Sequence, residues 1–179
     1  MLPSPALPKV TLVLGGARSG KSRFAEGLIA GHPGRPVYLA TAQAGDAEMA
    51  ERIRRHRARR GDDWTALEEP LDLPRALASA TRDKGAVLVD CLTLWLSNLM
   101  AAGRNVERES ETLIECLPNL GAPVVFVSNE VGLGIVPDNA LARAFRDHAG
   151  FLHQAIAGAA DRVYLIAAGL PLLLKKEDQ

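Results

Sequence analysis

Apolar residues gather in short runs rich in Val, Leu and Ile, and between these runs they recur every three to four positions. The runs have the length and branched content of buried strands, while the intervening segments have helical period. Their alternation predicts an α/β fold, a mostly parallel central sheet flanked by helices, because parallel strands need long crossovers and cover on both faces. Strands are predicted at Val10–Leu14, Val37–Thr41, Ala86–Asp90, Val124–Ser128 and Arg162–Ala167, with a last one at Leu172–Lys175. Helices are predicted over Lys21–Ala30, stopped by Gly31, over Asp46–Arg60, onward from Pro74, over Cys91–Ala102, ended by Gly103, and over Glu107–Leu117 before Pro118. Asp138 is expected to cap a long helix reaching Ala160, with Leu141, Phe145, Leu152 and Ile156 on one face. Neither a repeat nor a linker interrupts the pattern, so one domain over residues 1–179 is expected, with residues 1–8 as a loose N-terminal tail.

Composition narrows the partners. Lys and Arg number 21 and Asp and Glu 21, giving zero net charge, and aromatic residues are only 4 %. A protein that wraps a nucleic-acid backbone or lies on anionic lipid needs a standing positive excess, so a small-molecule partner is expected and nucleic acid is not. The longest apolar run, Val163 to Leu174, contains Gly169 and Pro171 and falls short of the ~20 residues that span a bilayer. Cys91 and Cys116 stand in neither a disulfide nor a zinc-ligand spacing, which fits a reducing cytoplasm.

The most specific local signal follows the first strand. Gly15-Gly16-Ala17-Arg18-Ser19-Gly20-Lys21-Ser22 matches the pattern G-x-x-x-x-G-K-[ST], between a strand and an amphipathic helix. Glycines let backbone N–H groups turn inward around phosphate oxygens, and the helix N-terminus adds positive potential. Lys21 is placed to neutralise the β/γ oxygens and the Ser22 hydroxyl to ligate Mg²⁺. The expected fold is therefore P-loop NTPase-like. Such a site needs a carboxylate at a neighbouring strand end to hold the hydrated metal, and Asp90 closes its strand in that manner; a cap on the helix that follows is the other reading, and the metal role is favoured because ligands gather at the carboxyl ends of parallel strands. In a parallel sheet Thr41, Asp90 and Glu130 all meet the loop at one edge, where Glu130 is either a base or a solvated loop residue.

A second signal is local charge. Arg52-Ile53-Arg54-Arg55-His56-Arg57-Ala58-Arg59-Arg60 holds six arginines, while Met49, Ile53 and His56 form an inward stripe at i, i+4 and i+7. A histidine so placed is either a satisfied core residue or, with guanidinium groups holding phosphate around it, a nucleophile for phosphorus. His32 lies in a Gly-His-Pro turn, and His148 and His153 lie near the buried face of the long helix.

Taken together these motifs resemble the bifunctional adenosylcobinamide kinase/adenosylcobinamide-phosphate guanylyltransferase family. The resemblance runs from Val10 to Lys175. It rests on the phosphate loop, on Tyr38-Leu39-Ala40-Thr41 with Asp46-x-Glu48-Met49-Ala50-x-Arg52-Ile53-x-x-His56-Arg57, on Ser128-Asn129-Glu130-Val131-Gly132-x-Gly134-Ile135-Val136-Pro137, and on Arg143-x-Phe145-Arg146-Asp147-x-x-Gly150. Such enzymes phosphorylate the aminopropanol hydroxyl of adenosylcobinamide from GTP or ATP with Mg²⁺. They then transfer GMP from GTP through a guanylylated histidine, giving adenosylcobinamide-GDP. His56 takes that position; some relatives carry two adjacent histidines there, whereas residue 55 is Arg. The resemblance further implies that Thr41, Ala42, Gln43, Arg57, Ala58, Arg59, Arg60, Glu68 and Asp90 contact GTP, and that the protein is a homotrimer. Two other readings of the phosphate loop are a simple small-molecule kinase with His56 structural, and a GTP-dependent switch. The second lacks the Asn-Lys-x-Asp guanine-reading motif.

Overall fold

A computed structural model describes residues 7–42, 63–83 and 85–176. Its strands are β1 (Val10–Gly15), β2 (Val37–Ala40), β3 (Thr65–Glu68), β4 (Val87–Asp90), β5 (Val124–Asn129), β6 (Arg162–Ala167) and β7 (Leu170–Lys176). They form one sheet in the order β3-β2-β4-β5-β1-β6-β7, parallel throughout except for β7, which returns antiparallel along β6. The described helices are α1 (Lys21–Ile29), α2 (Leu73–Ala80), α3 (Leu92–Ala101), α4 (Val106–Cys116) and α5 (Ala140–Ala159).

Alternation along the strands divides the core in two. Leu12, Leu39, Val87, Val89 and Phe126 point to one face, where they meet Leu77 of α2, Trp95 of α3, Leu113 of α4 and Ile156 of α5. Val13, Tyr38, Leu88, Val125 and Val127 point to the other, where Ala25 and Ile29 of α1 pack. Residues 124 to 128 of β5 are buried on both faces, which is why this strand reads as an unbroken apolar run. Phe24 of α1 meets Tyr164 of β6 edge to face at 4.9 Å and ties that helix to the sheet.

Several boundaries differ from the sequence pattern. β2 stops at Ala40, one residue short of Thr41, and β7 begins at Leu170 rather than Leu172. β3 was not expected: Thr65-Ala66-Leu67-Glu68 is short and mostly exposed, and only its register with β2, from Val37↔Thr65 to Ala40↔Glu68, makes it a strand. The cap of α5 is Asn139, not Asp138; its side chain accepts from the Ala142 N–H at 2.7 Å. Leu141 is 70 % exposed, so the buried stripe of α5 runs instead through Phe145, Ala149, Leu152 and Ile156. The helix predicted over Asp46–Arg60 lies outside the described residues, as do the first six residues of the expected tail.

Candidate active site

A parallel sheet gathers the carboxyl ends of its strands at one edge, and here that edge collects Gly15, Ala40, Asp90 and Asn129. β1 lies between β5 and β6, yet the chain leaves it for β2, across two intervening strands. The crevice at such a change of direction is where α/β proteins bind ligands.

The phosphate loop fills this crevice. Arg18 (φ 57°) and Gly20 (φ 95°) take left-handed conformations that curl residues 16–20 before α1 begins at Lys21. The curl is closed by Ser19 N–H donating to the Gly16 carbonyl at 3.3 Å and by Phe24 N–H donating to Gly20 at 3.0 Å. Its outer side leans on the β6–β7 turn, where the Gly169 N–H donates to the Ser19 carbonyl at 2.8 Å. Gly15 has no room for a side chain: a Cβ there would lie 2.7 Å from the Ile166 carbonyl oxygen. Lys21 is buried, with its ammonium donating to the Gly16 carbonyl at 3.0 Å, so its charge sits within the loop. Ser19 Oγ is buried without a hydrogen-bond partner among the described residues, an orphan that a phosphate oxygen would satisfy. Gly16 and Ala17 complete the loop, exposed at its rim.

Asp90 faces Ser22 across the crevice. Its Oδ2 lies 3.4 Å from the Ser22 hydroxyl and accepts from the Tyr38 hydroxyl at 2.9 Å. It makes no side-chain cap to α3, whose N-cap position is Cys91. One hydroxyl and one carboxylate, both hard oxygen donors 3.4 Å apart beside the phosphate loop, fit Mg²⁺, which takes few protein ligands and completes its shell with water and phosphate. Tyr38 is a site residue that the sequence pattern hides, because it occupies an ordinary inward position of β2.

A layer behind these groups is also polar. Thr41 is fully buried; its hydroxyl donates to the Cys91 carbonyl at 2.7 Å and accepts from the Cys91 N–H at 3.0 Å. The Asn98 amide donates to the Thr41 carbonyl at 2.8 Å and to Pro70 at 3.1 Å. Thr41 thus braces the start of α3 from the end of β2, and Ala42 is the partly exposed neighbour. Asn129 donates to Thr93 Oγ1 at 2.9 Å, and burial and the nearby Asp90 carboxylate push the Cys91 thiol up. Glu68 ends β3 opposite Ala40, exposed at the same sheet edge. Glu130 turns its carboxylate onto its own loop, accepting from the N–H groups of Gly132 at 2.7 Å and Leu133 at 3.2 Å. Gln43, His56, Arg57, Ala58, Arg59 and Arg60 lie outside the described residues.

Fold and loop together define a P-loop nucleotide-binding protein. Solved structures of that kind share the architecture: the flagellar accessory protein FlaH of Methanocaldococcus jannaschii (TM-score 0.56, 10 % identity, 96 % of this chain and 81 % of that one) and the P4 protein of bacteriophage phi6 with ADP (TM-score 0.52, 16 % identity, 95 % and 55 %). At that identity the likeness is one of fold alone. Residues 11–174 match the family model described as cobinamide kinase / cobinamide phosphate guanyltransferase, and the chain belongs to that family, an enzyme family of phosphoryl and guanylyl transfer. Relatives agree over nearly full length. The chain is 52 % identical to the bifunctional adenosylcobalamin biosynthesis protein CobP of Pseudomonas aeruginosa over 93 % of itself and 97 % of that protein. It is 40 % identical to the protein CobU of Salmonella typhimurium, over 92 % and 98 %.

Proposed function

We propose that the protein serves cobalamin biosynthesis by two reactions at one nucleotide site, phosphorylating adenosylcobinamide and then converting the product to adenosylcobinamide-GDP. The observation that carries this reading is the phosphate loop with Ser22 set opposite the strand-end carboxylate Asp90, in a chain of the cobinamide kinase family.

In the kinase step the loop amides of Gly15 to Gly20, Lys21 and the N-terminus of α1 take up charge as the γ-phosphoryl of GTP or ATP passes to the alcohol; positioning and electrostatics supply most of the rate. Ser22 and Asp90 would hold Mg²⁺, which would supply neutralising charge to the bound phosphates, and Tyr38 fixes the Asp90 carboxylate. Thr41, Ala42 and Glu68 extend the nucleotide site along the strand ends, Thr41 as a brace, and Gln43 is a further nucleotide contact by family resemblance. In the second reaction the His56 imidazole attacks the α-phosphorus of GTP. An N–P bond forms, the bond from the α-phosphorus to the bridging oxygen breaks, and pyrophosphate leaves. A phosphate oxygen of adenosylcobinamide phosphate then displaces the imidazole, forming the diphosphate linkage. Arg57, Arg59 and Arg60, with the backbone at Ala58, hold the triphosphate for this step. The α- and γ-phosphorus atoms cannot occupy one in-line position, so the nucleotide rebinds or the histidine segment moves between steps.

We further propose a homotrimer in the cytoplasm. Supporting the assembly, Leu170, Leu172, Leu173 and Leu174 on β7 are 71, 57, 46 and 54 % exposed on the outermost strand of the sheet. Supporting the compartment, Cys91 and Cys116 are both free thiols.

The test follows two labels. Label from the γ-phosphate should appear in adenosylcobinamide phosphate and vanish with Lys21→Ala. Label from the α-phosphate should appear on the protein as an acid-labile, base-stable adduct and vanish with His56→Ala. Transfer of γ-label without any adduct would leave a simple kinase, with His56 structural.

A further inference from the structure

The segment Glu130–Asn139 carries one of the motifs singled out in the sequence, yet nothing above gives it a task. It is braced at both ends. The Glu130 N–H donates to the Gly15 carbonyl at 3.0 Å, so the segment leaves the sheet beside the first residue of the phosphate loop. The Glu130 carboxylate then fixes the next turn through the N–H groups of Gly132 and Leu133. At the far end Arg143 Nη1 donates to the carbonyls of Pro137 at 2.9 Å and Asp138 at 2.7 Å, and Asn139 caps α5. Three polar side chains thus hold one backbone shape.

What that shape presents to solvent is apolar. Leu133 is 84 % exposed, Ile135 96 % and Val136 59 %. A single exposed leucine needs no explanation, but a cluster held outward by a braced backbone does. Holding it in place before binding removes the ordering cost that a flexible loop would meet on contact.

Position and chemistry select the occupant. In-line transfer puts the acceptor hydroxyl beyond the γ-phosphate, outside the carboxyl ends of the strands around the phosphate loop. This segment follows β5, the strand paired with β1, and so stands at that place. It contains no Lys or Arg from 130 to 141, which disfavours a second nucleotide, and its open apolar surface suits a ligand too large to enclose. We propose that Leu133, Ile135 and Val136 pack against the methyl-bearing edge of the corrinoid macrocycle, leaving its side-arm alcohol at the γ-phosphoryl. This rests on adenosylcobinamide being the acceptor.

The experiment is steady-state kinase kinetics with adenosylcobinamide varied at saturating GTP, on the wild type, the Leu133→Ser/Ile135→Ser pair and the Leu133→Met/Ile135→Leu pair, each also run in sedimentation velocity. The serine pair should raise KM for adenosylcobinamide about tenfold or more, with KM for GTP and the sedimentation coefficient unchanged, and the conservative pair should restore KM to within about twofold. An unchanged acceptor KM in the serine pair overturns the proposal. A rise in KM accompanied by loss of assembly also overturns it, making the loop a contact between copies. A wild type that leaves adenosylcobinamide unphosphorylated overturns the function itself and this seat with it, a result distinct from an active wild type indifferent to the loop.

Discussion

Asp90 is the side chain on which the proposed Mg²⁺ site turns, and its neighbours show what one residue type can and cannot reveal. A carboxylate at the end of an apolar strand is legible in sequence because burying it without a partner is costly. Its partner Tyr38 is not, since a tyrosine in an inward strand position reads as core until its hydroxyl is located 2.9 Å from the carboxylate. Asp90→Asn should lower kinase kcat by about 10²-fold or more, read by phosphoryl transfer at saturating nucleotide, because a hydrated divalent cation loses its charged anchor. Tyr38→Phe keeps the charge and loses only its fixation, so a fall of less than about tenfold is expected, together with a raised Mg²⁺ requirement. His153 offers a test away from catalysis. Its ring nitrogen lies 2.7 Å from the buried Ser128 hydroxyl, and burial pulls its pKa below 6.5 although the Glu130 carboxylate opposes the shift. The unfolded chain therefore binds this proton more readily than the folded one. The stability that goes with a neutral His153 is present in full above about pH 6.5, and it is lost as pH falls from there through the lower folded-state value. Thermal unfolding at pH 7.5 and 5.5 should show this loss in the wild type and a smaller one in His153→Gln.

The elements around the site were read well where they repeat a strong pattern and poorly where tertiary contacts decide. β1, β4, β5 and β6 are continuous branched runs, and their positions follow from the sequence to within a residue. β3 escaped because its four residues bury little and owe their strand form to β2. The start of α5 lies one residue beyond the expected cap because Asp138 and Asn139 are both good caps; Asn139 serves as the cap, while the Asp138 carbonyl accepts from Arg143. Asn139→Ala should therefore cost about 1 kcal/mol in denaturant unfolding, whereas Asp138→Ala should stay within about 0.5 kcal/mol. Gly15 belongs to the phosphate-binding motif, and its surroundings give a second reason for glycine there. A methyl group there meets the Ile166 carbonyl at 2.7 Å and Ser19 Oγ at 2.5 Å. Gly15→Ala should lower stability by about 1–3 kcal/mol and weaken nucleotide binding, as read by thermal unfolding and by a fluorescent nucleotide.

At the scale of the whole molecule, one sheet edge brings together groups far apart in sequence: the loop at 15–22, Asp90, the end of β3 and the braced segment after β5. Zero net charge remains compatible with triphosphate chemistry because charge here is local, with six arginines in residues 52–60. The proposed kinase half of the site is legible as a motif plus a strand end. The proposed guanylyl half is legible only as an arginine cluster around His56 in the sequence, a segment outside the described residues. In the proposed mechanism His56 carries GMP between GTP and the corrinoid. Its most direct test is a chase: label the protein with α-labelled GTP, remove free nucleotide, and add adenosylcobinamide phosphate alone. Label should leave the protein and appear in adenosylcobinamide-GDP. Label that stays on the protein, or is released only as free GMP, would contradict it.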